Sequence, residues 1–338
     1  MANYSTVAAI LNNPNVLQKM FQDVIATRAT LPWWLLGKQV DTGSGLKPKG
    51  KKFTRELDGG SRFEVPLMLI TNPNLKAFGK GATFNLTTNN IGDRAYYDIK
   101  ELGGPIPIDR FDIDVSGSSK TNLIGCTQSF LKQANVGVLN LVTSQMFATA
   151  GSEGADDWNS LLTLIALAPT ADAIGGISSA AYPNWANVYK NASGNSLATY
   201  LKAYLTTYRV KATVGVSRPK LALMDETTYG VLDSQMVAIQ QLTRAGGAPA
   251  PDVEEAGFTG LRYGGMTCMF ESSLAAGTII GINDEGIEYG ILKGANMEVD
   301  PFQLVPGTNL MTSFIRQLGN LLLSDRRTHY HIANFTTA

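Results

Sequence analysis

The stretch from Ser118 to Thr149 constrains this chain more than any other, because it asks for one long rod. It holds no proline, and Leu123, Thr127, Leu131, Ala134, Val138, Leu141 and Gln145 recur in steps of three and four, the repeat of one helix face. Ser118 or Ser119 suits the N-cap, and Gly151 with Gly154 suits the stop. At about 1.5 Å per residue such a helix is roughly 45 Å long, more than the width of a small compact domain. Gly125 and Gly137 lie inside it, and each weakens it by about 1 kcal/mol relative to alanine. The rod therefore needs packing partners along its length. It is expected to act as a spine, with arms and hairpins before it and a folded body of helices and strands after it.

Residues 4–29 carry two short helical patterns broken at Pro14, followed by an apolar knot that includes Trp33 and Trp34. The next segment, VDTGSGLKPKGKKFTRELDGGS, is rich in glycine and lysine, lacks periodicity and reads as an arm or linker. Asp41-Thr42-Gly43-Ser44 has the form of an aspartic-protease loop, but that chemistry needs two carboxylates sharing a proton, and no second such loop exists. Gly45 to Lys52 falls one residue short of a P-loop. Lys52 stands where the magnesium-binding hydroxyl belongs, and no helix follows to present its N-terminus to phosphate. Lys47, Lys49, Lys51, Lys52 and Arg55 then read as a solvated arm, or as one that contacts nucleic acid or an acidic patch on a neighbouring chain.

Arg62–Ile70 and Arg94–Leu102 read as strands joined by the polar stretch 71–93. So long a connection does not belong inside a compact domain. It is expected as a hairpin projecting from the body and, since two strands alone are marginal in water, resting on another molecule. Asp109, Asp112 and Asp114 alternate with Phe111, Ile113 and Val115, the pattern of a half-exposed strand or turn more than of a metal site. Past the spine, the pattern predicts helices over Trp158–Leu167 and Leu197–Lys211, a buried strand Lys220–Met224, and a helix Glu226–Thr243 capped by Asp225. A flexible loop, Ala245–Glu255, follows. Thr278–Asn283 and Ile287–Leu292 are expected to pair through the Asp284-Glu285-Gly286 turn, with further strands at Glu298–Val305 and within Leu310–Phe335. His329 and His331 would share one strand face, but they supply only two of the three or four ligands a metal site needs, so no metal is expected.

Lysine plus arginine equals aspartate plus glutamate at 28 each, so no net charge opposes self-association. The same balance argues against a protein whose main task is gripping nucleic acid. Cys126 and Cys268 form no CxxC pair, which predicts free thiols and a reducing compartment. The N-terminus lacks the basic flank of a signal peptide, and the longest apolar window, Leu161–Ala168, is far short of the roughly 20 residues of a membrane span. Neither a nucleophile elbow nor a dinucleotide fingerprint occurs, so the chain is not expected to be an enzyme or to hold a cofactor.

Three segments carry a family pattern in order. The first is Ala173-Ile174-Gly175-Gly176-Ile177 with Tyr182, Pro183 and Trp185. The second is Asp225 followed by Tyr229 and Leu232, and the third runs from Gly257 and Phe258 through Gly260, Leu261 and Tyr263 to Met266, where proline is more usual. Over residues 50–335 the chain resembles the major capsid proteins of tailed bacteriophages, with the Hong Kong 97-like fold. The resemblance implies an α+β chain with an N-terminal arm (1–55), an extended loop (56–104), a peripheral domain with the spine (105–155 and 293–338) and an axial domain (156–292). The last strands would return to the sheet beside the spine.

The resemblance further implies hexamers and pentamers tiling an icosahedral shell around double-stranded DNA held by non-specific contact, assembled in the host cytoplasm. Portal, scaffolding and decoration proteins would be partners, with scaffolding supplied by a separate protein. Candidate contact residues are Lys47, Lys49, Lys51, Lys52, Arg55, Lys76, Lys80, Trp33 and Trp34. Some members of the family cross-link neighbours through a loop lysine; Lys76 and Lys80 are placed for that, but no partner asparagine or assisting carboxylate is matched. The alternatives are an encapsulin-like shell around protein cargo, a tail or decoration protein, and a soluble α/β enzyme.

Overall fold

The computed structural model describes residues 54–70, 92–111, 140–243, 261–295 and 298–336, with isolated positions within 74–83 and 130–138. The first 53 residues, Lys76, Asp112, Asp114, Cys126, the spine stretch 118–129 and the loop 245–255 lie outside the described residues.

In chain order the elements are β1 (Thr54–Leu57), β2 (Arg62–Met68), β3 (Gly92–Asp98), β4 (Lys100–Asp109) and the spine α1, helical at the described positions from 130 to 146. Next come α2 (Leu161–Leu164), β5 (Ala173–Ile174), β6 (Ile177–Ser178), a 3-10 turn at Pro183–Trp185, β7 (Val188–Asn191) and α3 (Leu197–Lys211). The chain continues through β8 (Leu221–Met224), α4 (Glu226–Thr243), β9 (Leu261–Tyr263), β10 (Met266–Phe270), β11 (Ile279–Ile282) and β12 (Ile287–Leu292). It closes with β13 (Glu298–Val299), β14 (Gln303–Leu304), β15 (Leu310–Leu323) and β16 (Tyr330–Ala333).

The 14-residue β15 is the axis of the first sheet, pairing with β4, β12, β13 and β14, while β1 extends the sheet beyond β12. Its side chains alternate as a half-covered strand requires. Met311, Ile315 and Leu321 face the core, whereas Phe314 and Arg316 face solvent. Leu102, Ile106 and Ile108 of β4 join the same core, and the spine covers it with Leu131, Val138, Val142 and Met146. The buried stripe of the spine thus runs through Val142 and Met146, where Leu141 and Gln145 were expected. Consecutive steps of four carry the stripe around the rod. Leu141 is exposed, and Gln145 is used instead as a bracket, donating to Asp157 Oδ1 at 2.8 Å and accepting from Trp158 N at 3.2 Å.

The second sheet runs β7-β16-β11-β8-β10-β9 and mixes parallel and antiparallel pairs. Both of its faces are covered. Leu221, Leu223, Ile280 and Ile282 join the core of the first sheet, while Ala222, Met224, Cys268 and Ile279 meet α3 and α4 through Leu201, Leu205 and Leu232. Asp225 caps α4 as expected: Oδ2 accepts from Thr228 N at 3.1 Å, and Oδ1 accepts from Thr228 Oγ1 and from Thr278 N. Gly281 is required because its cross-strand partner Tyr330 lies over it; a Cβ there would stand 1.9 Å from Tyr330 Cε1.

Several sequence expectations are corrected. Residues 54–57, assigned to an arm or linker, form an edge strand in parallel register with β12. The predicted hairpin does not depend on another molecule at its base. Phe63, Val65, Leu69, Ala95 and Tyr97 are buried against their own chain. The chain changes sheet at Ile99, so Leu102 belongs to β4 rather than to the hairpin. The helix expected over Trp158–Leu167 shrinks to four residues capped by Ser160. β11 and β12 do not pair: Asp284-Glu285-Gly286 carries the chain from the second sheet to the first. Glu298–Val305 is split into two short strands around Asp300, Pro301 and Phe302. β15 and β16 also divide between the sheets, and His329 lies just before β16 rather than on a shared strand face with His331.

Candidate interaction surface

The outer face of the β2–β3 hairpin carries exposed apolar side chains. Seven residues of β2 pair in register with seven of β3, from Arg62 with Asp98 to Met68 with Gly92. Pro66 lacks an N–H, so the even-numbered backbone groups of β2 must point away from β3. The matching even-numbered Tyr96 N does point outward, donating to Gly175 O at 3.0 Å. On the outer face, Arg62 donates to Asp98 and Arg94 to Glu64, each at 2.7 Å. Such exposed pairs are worth roughly 0–1 kcal/mol each, so they fix rotamers more than they stabilise. Between and beyond them stand Met68, 82% exposed, and Tyr96, 44%, and Leu75 in the connection after β2 is 79% exposed. The inner face is the opposite: Phe63 and Ala95 are fully buried.

The hairpin is rooted by hydrogen bonds from the first sheet. Tyr97 Oη donates to Leu323 O at 3.0 Å, and burial pushes that phenol well above its usual pKa. Asn320 Nδ2 donates to Asp98 O at 2.8 Å, while its Oδ1 accepts from Asn159 N at 3.0 Å. Beside this root opens a cleft of about 700 Å³ in which Asp98, Glu101, Asp156 and Asp300 outnumber Lys100 and Arg316. Both cations are engaged: Lys100 Nζ donates to Asp157 O, and Arg316 Nη2 lies 3.0 Å from Glu298 Oε2.

One buried cation organises the segment between the spine and the second sheet. Arg326, with no exposed side-chain surface, donates to Leu164 O at 2.9 Å, to Ser179 Oγ at 3.0 Å, to Trp185 O at 3.3 Å and to both carboxylate oxygens of Asp172. Burial raises the Asp172 carboxyl, but its hydrogen bonds from Arg326 and Ser179 outweigh that and hold it below its ordinary value. Nothing in the local sequence marks Arg326; the signal lies in partners about 140–160 positions away.

The sequence-derived candidates are not gathered into one place. Arg55 lies in β1, 3.8 Å from Glu288 of β12, and Lys80 is exposed at the far end of the hairpin. Trp33, Trp34, Lys47, Lys49, Lys51, Lys52 and Lys76 lie outside the described residues. His329 and His331 are both buried. His329 Nδ1 accepts from Asn283 N at 3.1 Å, which places its proton on Nε2, and His331 Nδ1 lies 2.8 Å from Ile165 O. Among the described residues no three His, Cys, Asp or Glu side chains gather at metal-binding distance, and no helix is long and apolar enough to cross a membrane. Cys268 is buried in the second sheet, its thiol pushed up to about 12 by burial.

No protein-family model and no curated protein matches the sequence. Solved structures do. The capsid of a native GTA particle is 14% identical, with a TM-score of 0.52 over 84% of this chain and 88% of that one. The capsid of Myoviridae phage XM1 is 10% identical, with a TM-score of 0.51 over 82% of this chain and 86% of that one. The holo-SrpI encapsulin complex of Synechococcus elongatus PCC 7942 is 12% identical, with a TM-score of 0.50 over 84% and 85%. This chain therefore shares its overall fold with solved capsid and encapsulin structures.

Proposed function

We propose that this chain is the major capsid protein of a tailed bacteriophage with the Hong Kong 97-like fold, closing into hexamers and pentamers that tile an icosahedral shell around the phage's double-stranded DNA. The observation that carries this reading is the β2–β3 hairpin. Its inner face is seated on its own chain, while Met68 and Tyr96 stand in solvent on the other side and Leu75 is exposed in the connection beyond β2. Apolar surface held out on a rigid arm is a binding surface in search of a partner. A second copy is the partner that the shared capsid fold suggests. Closed ring symmetry would satisfy every such arm, and a subunit held by several neighbours leaves only when all contacts break together.

In this reading residues 1–55 are the N-terminal arm, 56–104 the extended loop, 105–155 and 293–338 the peripheral domain and 156–292 the axial domain, with β16 crossing back to the axial sheet. Lys47, Lys49, Lys51 and Lys52 then meet either DNA phosphates or the acidic cleft of a neighbour. The protein's work is mechanical, and its other partners are portal, scaffolding and decoration proteins.

A second reading, a compartment shell around protein cargo, is favoured by the likeness to the encapsulin complex. Particle contents decide between them. Nuclease-protected double-stranded DNA supports the phage capsid, and a stoichiometric cargo protein without DNA supports the compartment.

A further inference from the structure

The geometry points to Gly175, braced from behind by Asp172 and Arg326, as the seat that sets the angle at which the β2–β3 hairpin leaves the body. Gly175 and Gly176 form the turn between β5 and β6, and both adopt left-handed backbone, with φ of 63° and 80°. The two glycines are not equivalent. A Cβ on Gly176 would meet nothing within 4 Å, whereas one on Gly175 would stand 2.7 Å from Ala95 Cβ and 3.3 Å from Tyr97 Cζ. The turn therefore presses directly on β3, and Gly175 O accepts the outward-pointing Tyr96 N at 3.0 Å.

The seat is held rigid from the other side. Trp185 Nε1 donates to Ile174 O at 3.1 Å, and Ser179 N donates to Asp172 O at 2.9 Å. Arg326 then holds Asp172 and Ser179 together through Nη1, at 2.9 and 3.0 Å. Contact thus passes without a break from Arg326, between the two sheets, to the hairpin. The remaining root bonds, Tyr97 Oη to Leu323 O and Asn320 Nδ2 to Asp98 O, sit at the last two residues of β3. They make a pivot, and the contact at Ala95 makes the stop.

A methyl group added at Gly175 has to move Ala95 by about 1 Å to reach ordinary carbon–carbon contact of about 3.5–4.0 Å. At about 3.3 Å per residue, Ala95 lies about 7 Å and Gly92 about 17 Å from the pivot at Tyr97, so Gly92 swings by about 2–3 Å. This inference goes beyond the shell reading, and its test needs only the purified chain, so the two can fail separately.

The test is the distance between spin labels at M68C, on the exposed hairpin face, and S234C, on the exposed side of α4, in a C126S background. G175A is expected to shift the mean distance by about 2–3 Å, the swing estimated from the strand spacing. G176A carries the same backbone strain without the contact and is expected to leave the distance unchanged. G175A/A95G, which removes the opposing methyl, is expected to restore it. A95G alone removes the stop and is expected to broaden the distribution; it remains informative if G175A fails to fold. An unchanged mean in G175A, an equal shift in G176A, or an unchanged width in A95G overturns the inference.

Discussion

Replacing Arg326 with methionine is expected to destabilise the chain by about 3–5 kcal/mol, the usual consequence of removing one partner from a buried ion pair. The side chain has no exposed surface, and its loss leaves Leu164 O without its side-chain donor and Trp185 O with only the longer 3.4 Å contact from Ser179 Oγ. Each orphaned buried acceptor costs about 1–3 kcal/mol if no water reaches it. Asp172 softens the loss, because 24% of its side chain is exposed and can be rehydrated. A typical domain is stable by about 5–15 kcal/mol, so the variant should still fold in water. Urea titration followed by circular dichroism and tryptophan fluorescence reads the change as a lower midpoint with an unchanged slope.

The pH dependence separates the ion pair from simple packing. The Asp172 carboxyl is held below its ordinary value in the fold, so its contribution is present above the unfolded carboxylate pKa of about 3.9. That contribution is lost as pH falls through the lower folded value. Wild type should therefore lose more stability than R326M below about pH 4. A variant within about 1 kcal/mol of wild type, or one with the same acid slope, would refute the organising role given to this guanidinium.

Other expectations follow from single contacts. Burial holds the His329 imidazole down to about 4, against about 6.5 unfolded, so an unfolded chain takes up its proton first and stability falls between those pH values by about 3 kcal/mol. Burial also lowers His331, so H329N should remove part of that slope, and an undiminished slope contradicts the assignment. G281A places a methyl 1.9 Å from the Tyr330 ring and should cost about 3 kcal/mol or prevent folding, with partial recovery in G281A/Y330L; a neutral G281A contradicts the packing. Because no asparagine or carboxylate is matched to Lys76 or Lys80, denatured particles should give a single gel band at 36.3 kDa, and a covalent ladder would contradict this.

The sequence was most legible where a local rule settles the structure. Asp225 before a helical pattern caps α4, the alternation in Arg62–Met68 makes β2, and Leu221–Met224 is buried on both faces. It was least legible where partners are distant. Thr54–Leu57 shows no apolar alternation because β12 holds it by backbone pairing at a sheet edge. Asp284-Glu285-Gly286 has the composition of a hairpin turn. Yet Ser324 N donates to Gly286 O at 2.8 Å, so the turn is spent on the crossing between sheets. Gly175 was visible as part of a motif, but its contact with Ala95, 80 positions earlier, was not. At the described positions from 130 to 146 the period did read as a helix, although the stripe moves to Val142 and Met146 because consecutive steps of four carry it around the rod.

The central claim is that the projecting hairpin builds shells, and electron microscopy of the purified, concentrated chain with sedimentation velocity on the same sample tests it most directly. The expected result is closed shells or discrete pentamers and hexamers, lost when M68D and Y96D place charge on the outer hairpin face. A compact monomer that stays monomeric at high concentration, with the segment from Leu75 to Lys80 protected from protease, would contradict it.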